Sequence, residues 1–231
     1  MKKLFILIAI LLLFFNWQNL YAGRGEGAGG FLLGGNFFDF DNLSRDFRLN
    51  GYPRVDNTNF FLGGMGYAVI NNKVIIGGEG GGFWQSVGNS FAKVNLSGGY
   101  GFFDLGYVIH SERNFRIFPV LGIGGGGISL KIFPAQITPT FEDILNDPYR
   151  KAELTTSNFA MHFSLGMDIK VASKEKRFRS KGLLLGARFG YVWIPGDSDW
   201  QMDGMEVFSG PRTNFQGFYV HFLIGGFGER R

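Results

Sequence analysis

Apolar and polar side chains alternate strictly along residues 158–171, which is the clearest structural signal in the chain. Polar or small residues occupy the even positions. The odd positions are all apolar: Phe159, Met161, Phe163, Leu165, Met167, Ile169 and Val171. A period of two places these two sets on opposite faces of a β-strand. The strand is more than twice the ~5–6 residues usual in soluble domains, so its apolar face is expected to contact lipid.

The same alternation between turn signals predicts eight strands. They span residues 25–40, 57–70, 73–87, 91–110, 115–133, 156–171, 182–194 and 213–228. Three of the four connections on one side are long (41–56, 134–155 and 195–212), whereas Asn71-Asn72 suits a two-residue hairpin with positive φ. Long outer loops and short periplasmic turns are typical of outer-membrane barrels. We therefore predict an all-β fold, an eight-stranded antiparallel up-and-down transmembrane β-barrel with both mature termini in the periplasm.

The faces of the other strands are less uniform. In 182–194 and 213–228, the predicted lipid-facing residues are Leu183, Leu185, Ala187, Phe189, Tyr191, Trp193, Phe218, Val220, Phe222 and Ile224. In 91–110 and 115–133 the alternation changes phase, near Tyr100 to Phe103 and within Gly124 to Gly127. We interpret these changes as β-bulges or glycine kinks. The faces of 25–40 and 57–70 are not assigned, because both segments are so rich in Phe and Gly.

The N-terminus predicts export. Lys2 and Lys3 precede an apolar run over residues 4–15 and a short polar stretch that ends at Ala22. This is the pattern of a secretory signal peptide, residues 1–22, which leaves residues 23–231 as the barrel domain. The alternative is a retained anchor helix, but the run is shorter than the ~18 residues needed to cross a bilayer.

Composition narrows the function classes. The chain has 27 Phe and 37 Gly, which suit strands and a tightly curved barrel, and no Cys, which excludes disulfides and thiolate metal sites. Two of the formal charges in the net +4 belong to the signal peptide, so nucleic-acid binding is not expected. The residues show no pattern for a cofactor or a metal ion.

With these strands, the mature chain resembles small eight-stranded outer-membrane β-barrel proteins of the OmpA, OmpX and OmpW type over essentially its whole length. The resemblance is one of pattern, and it implies an outer-membrane location with lipid as the surrounding partner. One departure concerns the C-terminus: such proteins commonly end on an aromatic residue, whereas here Phe227 is followed by Gly228-Glu229-Arg230-Arg231.

Four ionisable residues are predicted to form one layer inside the barrel. Glu79, Asp104, Arg188 and His221 lie about six positions from the periplasmic ends of their predicted strands. Buried charges persist only when they are paired and hydrogen-bonded, so we expect a structural lumen network with Glu79 and Arg188 as an ion pair.

Three functions remain open. We favour a structural or surface-interaction barrel without catalytic residues, with a surface ligand held by loops 41–56, 134–155 and 195–212. A narrow channel for small or hydrophobic solutes is the first alternative, because inward glycines such as Gly166 and Gly190 leave room in the lumen. The second alternative is a hydrolase similar to lipid A deacylases, in which His162 activates Ser164.

Overall fold

A computed structural model describes residues 25–112, 114–134, 142, 145, 152–176, 179–196, 199–208, 210 and 215–230. The predicted signal peptide and most of the predicted loop 134–155 lie outside these residues. No helix in the described part of the chain is long and apolar enough to cross a membrane.

Strands dominate the described residues. They are β1 (Gly25–Phe38), β2 (Thr58–Ile70), β3 (Val74–Gly88), β4 (Ala92–Tyr107), β5 (His110–Glu112), β6 (Phe115–Pro134), β7 (Ala152–Lys176), β8 (Arg179–Trp193), β9 (Trp200–Met202), β10 (Met205–Val207) and β11 (Gly217–Arg230). The helix α1 (Asp41–Leu49) lies between β1 and β2.

Eight of these strands form a closed barrel, which confirms the predicted fold. The order around the ring is β1-β2-β3-β4-β6-β7-β8-β11, and every neighbouring pair is antiparallel. Pairing of β11 with β1, from Gly25 opposite Arg230 to Phe38 opposite Gly217, closes the ring. We call the end where β1 begins and β11 ends the terminal end, and the opposite end the loop end.

The predicted strands agree with the barrel strands to within a few residues, apart from β7. That strand has 25 residues and extends beyond the predicted 156–171 at both ends. The hairpin between β2 and β3 has three residues rather than two. Asn71 and Asn72 both have positive φ (51° and 57°), and the amide of Lys73 donates to the carbonyl of Ile70 at 3.0 Å.

The predicted faces of β7, β8 and β11 are confirmed. Along β7 the odd positions from Phe159 to Val171 face outward and the even positions from Asn158 to Asp168 are buried, with Phe159 57% exposed. Toward the loop end, outward-facing aromatic residues recur around the barrel: Phe37, Phe60, Trp84, Phe159, Trp193 and Phe218. An apolar outer band edged by aromatic residues is the lipid-facing surface of an outer-membrane barrel.

The predicted bulges in β4 and β6 are wrong. The register between these strands is continuous through Tyr100 to Phe103 and Gly124 to Gly127. Among the described residues, the one register shift in the barrel pairings lies between Lys170 and Ala172, where β7 pairs with β8.

The change of phase reflects a change in the interior. Near the loop end Leu96 and Leu130 point inward and are buried, whereas the outward positions Ser97 and Ser129 are polar. The wall in this region therefore has an apolar inside and a polar outside, which is the pattern of a strand that has left the lipid. We interpret the point where apolar residues change face as the edge of the lipid-facing band.

The helix α1 closes part of the loop end and was not predicted. Leu43 and Phe47, four residues apart, share its buried face. The hydroxyl of Ser44 donates to the carbonyl of Val55 at 2.7 Å, and Gly51, with φ of 78°, follows the end of the helix. The hairpin of β9 and β10 lies beside α1 and contributes the buried Trp200.

Candidate functional site

The interior near the terminal end contains a charged cluster centred on Asp168. Its Oδ1 accepts from Nη1 of Arg188 at 3.0 Å, and its Oδ2 accepts from Nη2 of Arg116 at 3.1 Å and from the hydroxyl of Tyr67. Arg116 also donates to both carboxylate oxygens of Glu26, at 3.2 and 3.3 Å. Each side chain is buried, and each charge has an opposite partner, which is the condition for keeping charges out of water.

A second cluster lies around His162, which is fully buried. Nε2 of His162 lies 2.8 Å from Oδ1 of Asp104, and Nδ1 lies 2.6 Å from the hydroxyl of Tyr219. Nδ1 is also 3.9 Å from Oε1 of Glu79.

Above this cluster, five rings form what we call the stacked column: Phe215, Tyr100, Phe61, His221 and Tyr219. Ring centroids are 5.9 Å apart for Phe215 and Tyr100, and 5.1 Å apart for Tyr100 and Phe61. The column continues through His221, 4.1 Å from Phe61 and 4.5 Å from Tyr219. All five side chains are buried, so the column occupies the interior between the polar clusters and the loop end.

Among the described residues, three polar contacts cross the full width of the barrel. Each joins strands that are four positions apart in the ring of eight, which places them on opposite walls. The contacts are Tyr100 with His221 (3.4 Å), Arg116 with Glu26, and Tyr67 with Asp168. An eight-stranded barrel has an interior that side chains just fill, and here they meet from wall to wall.

The inward glycines do not leave open space. A Cβ atom added at Gly166 would lie 2.5 Å from the ring of Phe118, and one at Gly190 would lie 2.6 Å from the ring of Tyr219. A Cβ atom added at Gly186 would lie 2.7 Å from Oδ1 of Asp168. Large side chains from neighbouring strands therefore occupy the room that these glycines provide.

The four residues predicted for the lumen network are all buried inside the barrel, but they do not form one group. Asp104 contacts His162, and Glu79 lies near the same ring. Arg188 pairs with Asp168, and within the described residues no ion pair joins it to Glu79. His221 contacts Asn36 at 3.0 Å and belongs to the stacked column.

Sequence reasoning missed Glu26 and Arg116. Glu26 lies in a strand whose faces were not assigned, and Arg116 lies in the strand that was interpreted as bulged. Counting β6 by twos without a bulge places Arg116 on the same side as Phe118 and Val120, which are buried. The spacing of two positions between these three residues therefore predicts that Arg116 points into the barrel.

Among the described residues, no hydrogen bond joins His162 to Ser164. Both lie on the inner face of β7, as predicted, and both are buried. The two ring nitrogens of His162 face Asp104 and Tyr219 rather than Ser164. The imidazole is therefore not positioned to take a proton from the Ser164 hydroxyl.

Cavities are present at both ends of the barrel. At the terminal end, a polar vestibule of about 320 Å³ opens beside the Asp168 cluster and is lined by Glu26, Glu112, Arg116, Asp168, Lys170 and Glu229. At the loop end, an apolar cavity of about 210 Å³, here called the outer pocket, lies between α1, β6, β7, β9 and β10. Its walls include Leu43, Phe47, Leu130, Leu154, Trp200 and Val207.

A closed eight-stranded antiparallel barrel with an apolar belt outside and polar clusters inside is a small outer-membrane β-barrel protein. No protein-family model matches the sequence, and no curated protein does.

Among solved structures, the chain is similar to Ail, the attachment invasion locus protein of Yersinia pestis, at 11% identity and a TM-score of 0.43, over 90% of this chain and 99% of Ail. It is also similar to the outer-membrane protein OprG of Pseudomonas aeruginosa, at 12% identity and a TM-score of 0.40, over 91% of this chain and 96% of OprG. A third similar structure is the outer-membrane protease OmpT of Escherichia coli, at 9% identity and a TM-score of 0.30, over 91% of this chain and 97% of OmpT. The assignment to the class of small outer-membrane β-barrel proteins rests on the geometry of this barrel and not on these similarities.

Proposed function

We propose that this protein is a non-catalytic outer-membrane barrel whose lumen is closed by side chains and whose loop end makes contacts at the cell surface. The observation that carries the proposal is the set of polar contacts that cross the barrel from wall to wall. A solute that moved along the axis would have to break the pair of Arg116 and Glu26 and separate the rings of Tyr100 and His221.

Breaking these contacts is costly. Arg116 and Glu26 are both buried, and separating them removes two hydrogen bonds between charged groups, each worth about 1.5–3 kcal/mol, while Arg116 keeps its contact with Asp168 and Glu26 keeps its contact with Lys170. The stacked column adds a second obstacle, because its rings touch apolar neighbours on several strands. Both features support a closed lumen over a channel.

The loop end supports a role in contact with partners. α1 and the hairpin of β9 and β10 give this end ordered structure beyond the lipid belt. Met205 and Phe208 are 64% and 84% exposed there. Large apolar side chains that remain exposed outside the membrane are typical of interaction surfaces.

Planar-bilayer recording of the refolded mature chain, residues 23–231, tests the closed lumen. We expect no reproducible conductance steps in bilayers where a general porin conducts. The Phe60→Ala variant, altered on the lipid face beside the stacked column, serves as a control and is expected to be equally silent. Wild-type steps of constant size that change in Arg188→Gln would overturn the proposal in favour of a channel.

Mass spectrometry of lipid A from cells that express the protein tests the absence of catalysis. We expect the same acylation pattern with and without expression, because His162 does not face Ser164. A loss of acyl chains that disappears in Ser164→Ala would show that the protein is a hydrolase.

A further inference from the structure

The hairpin of β9 and β10 exposes acidic and apolar side chains side by side, and we call residues 199–208 the acidic hairpin. Large apolar side chains lie exposed in it, with Met205 64% and Phe208 84% exposed. No Lys or Arg occurs within residues 199–208, so this surface is negatively charged. Its exposed acids are Asp199, Asp203 and Glu206.

The acidic hairpin has a fixed shape. Asp203 and Gly204 have φ of 51° and 82°, the two consecutive positive values that suit a two-residue hairpin turn. At the base of the hairpin, Gln201 pairs with Thr155 of β7, and Trp200 is 3% exposed. The exposed side chains are therefore carried by an ordered element, and a partner does not have to order this segment in order to bind it.

The carboxylates of the acidic hairpin are not used within the described part of the chain. Among those residues, no ion pair includes any of its three acids. On the neighbouring wall, Lys131 is already paired with Glu153 at 3.0 Å. The charges of the hairpin are thus open to cationic groups outside the barrel, which they attract over about 8 Å at physiological salt.

The arrangement of the acids distinguishes a peptide from a metal ion. Within the residues that the structure describes, no three acidic or histidine side chains converge on a position where they could hold a metal ion. A metal ion would also leave Met205 and Phe208 uncovered. A partner with several separate cations and an apolar side complements both the charges and the exposed apolar side chains.

We propose that the acidic hairpin binds a basic amphipathic peptide segment, whose Lys or Arg side chains face the carboxylates and whose apolar side chains cover Met205 and Phe208. This inference rests on the proposed function, in which the loop end makes the contacts at the cell surface, and it adds the chemistry of the partner. The arm from Asp199 to Asp203 spans about 13 Å at ~3.3 Å per residue, so about ten residues of a helical peptide cover it.

Fluorescence anisotropy tests the proposal, with the mature chain, residues 23–231, in nanodiscs of zwitterionic lipid. The probe is a labelled peptide of about 12 residues, made of Lys and Leu at the spacing that gives a helix one basic and one apolar face. We expect saturable binding above the signal of empty nanodiscs. Raising the salt from about 0.1 M to about 1 M should weaken the binding, because the screening length falls from about 10 Å to about 3 Å.

Variants locate the binding on the hairpin. Glu206→Gln should weaken it by about two- to fivefold, because one exposed ion pair is lost. Glu112→Gln is the matched control, since it removes the same charge from an exposed residue at the terminal end and should leave binding unchanged. Phe208→Ser removes an apolar contact without a change of charge and should also weaken binding. The heat-dependent gel shift confirms that each variant is folded.

Two further peptides test the chemistry of the partner. A peptide with Glu in place of each Lys should not bind, because its charges repel those of the hairpin. An oligolysine of the same charge but without Leu should bind more weakly than the amphipathic peptide, because it leaves the apolar side chains uncovered.

Three results with these peptides would overturn the proposal: no saturable binding, equal effects of Glu206→Gln and Glu112→Gln, or equal binding of the Lys and Glu peptides. Saturable calcium binding that Glu206→Gln removes would assign the hairpin to a metal ion instead. A dimer in detergent that Phe208→Ser dissociates would assign it to a second copy of the chain.

These measurements do not depend on conductance. A silent barrel that does not bind the peptide removes this inference alone, whereas a conducting barrel removes the proposed function.

Discussion

Gly122 of β6 lies where the imidazole of His162 meets the carboxylate of Asp104, and a methyl group there would overlap both. We expect Gly122→Ala to destabilise the barrel by about 1–3 kcal/mol, because the buried pair has no free space to move into. Urea unfolding in lipid vesicles would measure the loss. The control is Gly27→Ala, since a Cβ at Gly27 meets no atom within 4 Å. Equal stability of the two variants would show that the His162 cluster is not tightly packed.

Asp168 is the single acid shared by two buried guanidinium groups, Arg116 and Arg188. Asp168→Asn keeps the shape but removes the charge, so we expect a loss of about 3–5 kcal/mol. Glu153→Gln is the matched control, because Glu153 pairs with Lys131 at 3.0 Å on the partly exposed outer wall, where a pair contributes about 0–1 kcal/mol. Similar urea midpoints for the two variants would contradict the central role given to Asp168.

Individual strands were predictable because each one carries its own signal. The alternation in β7 assigns its two faces without knowledge of any other strand, and the structure agrees at each position from Asn158 to Lys170. α1 and the β9–β10 hairpin were missed because they are short. α1 has only Leu43 and Phe47 as a clear apolar pair, and β9 and β10 have three residues each.

The faces of β4 and β6 were misread for a different physical reason. The prediction assumed a polar lumen along the whole barrel, so buried residues such as Leu96 and Leu130 implied a change in the backbone. The backbone is regular, and it is the environment outside the barrel that changes. The change of face is visible in the sequence, but it makes sense only for a barrel wall that extends beyond the thickness of the membrane.

Cysteine labelling tests where the membrane lies along the barrel wall and which end of the barrel faces outward. Because the chain has no Cys, single-cysteine variants report one site each. On intact cells, Ser157→Cys, on the exposed outer face of β7 beyond Phe159, should react with a membrane-impermeant maleimide, whereas Leu165→Cys in the lipid belt should not. Lys73→Cys, in the turn at the terminal end, should react only after the outer membrane is opened. Reaction of Lys73→Cys on intact cells would reverse the predicted orientation.

At the scale of the whole molecule, the arrangement of the lumen depends on contacts between strands that are distant in sequence. The sequence prediction placed Glu79 beside Arg188 because both residues lie about six positions from the terminal ends of their strands. In a barrel the strands are tilted and staggered, so equal counts do not give equal depths. The actual partner of Arg188 is Asp168, and the contacts that hold opposite walls together, such as Glu26 with Arg116, emerge only from the closed ring.

These cross-barrel contacts predict that one hydroxyl group affects the stability of the whole barrel. The phenol of Tyr67 on β2 donates to Asp168 on the opposite wall and accepts from Nη2 of Arg116 at 3.2 Å. Tyr67→Phe removes both contacts and should cost about 1–3 kcal/mol. For a chain of this size that corresponds to roughly 2–4 °C in Tm for each kcal/mol, measured as the temperature of the gel-mobility shift. Tyr107→Phe, at the exposed end of β4, should leave this temperature unchanged. If the two variants shift equally, the walls are held by backbone pairing alone, and the contacts across the lumen add nothing to stability.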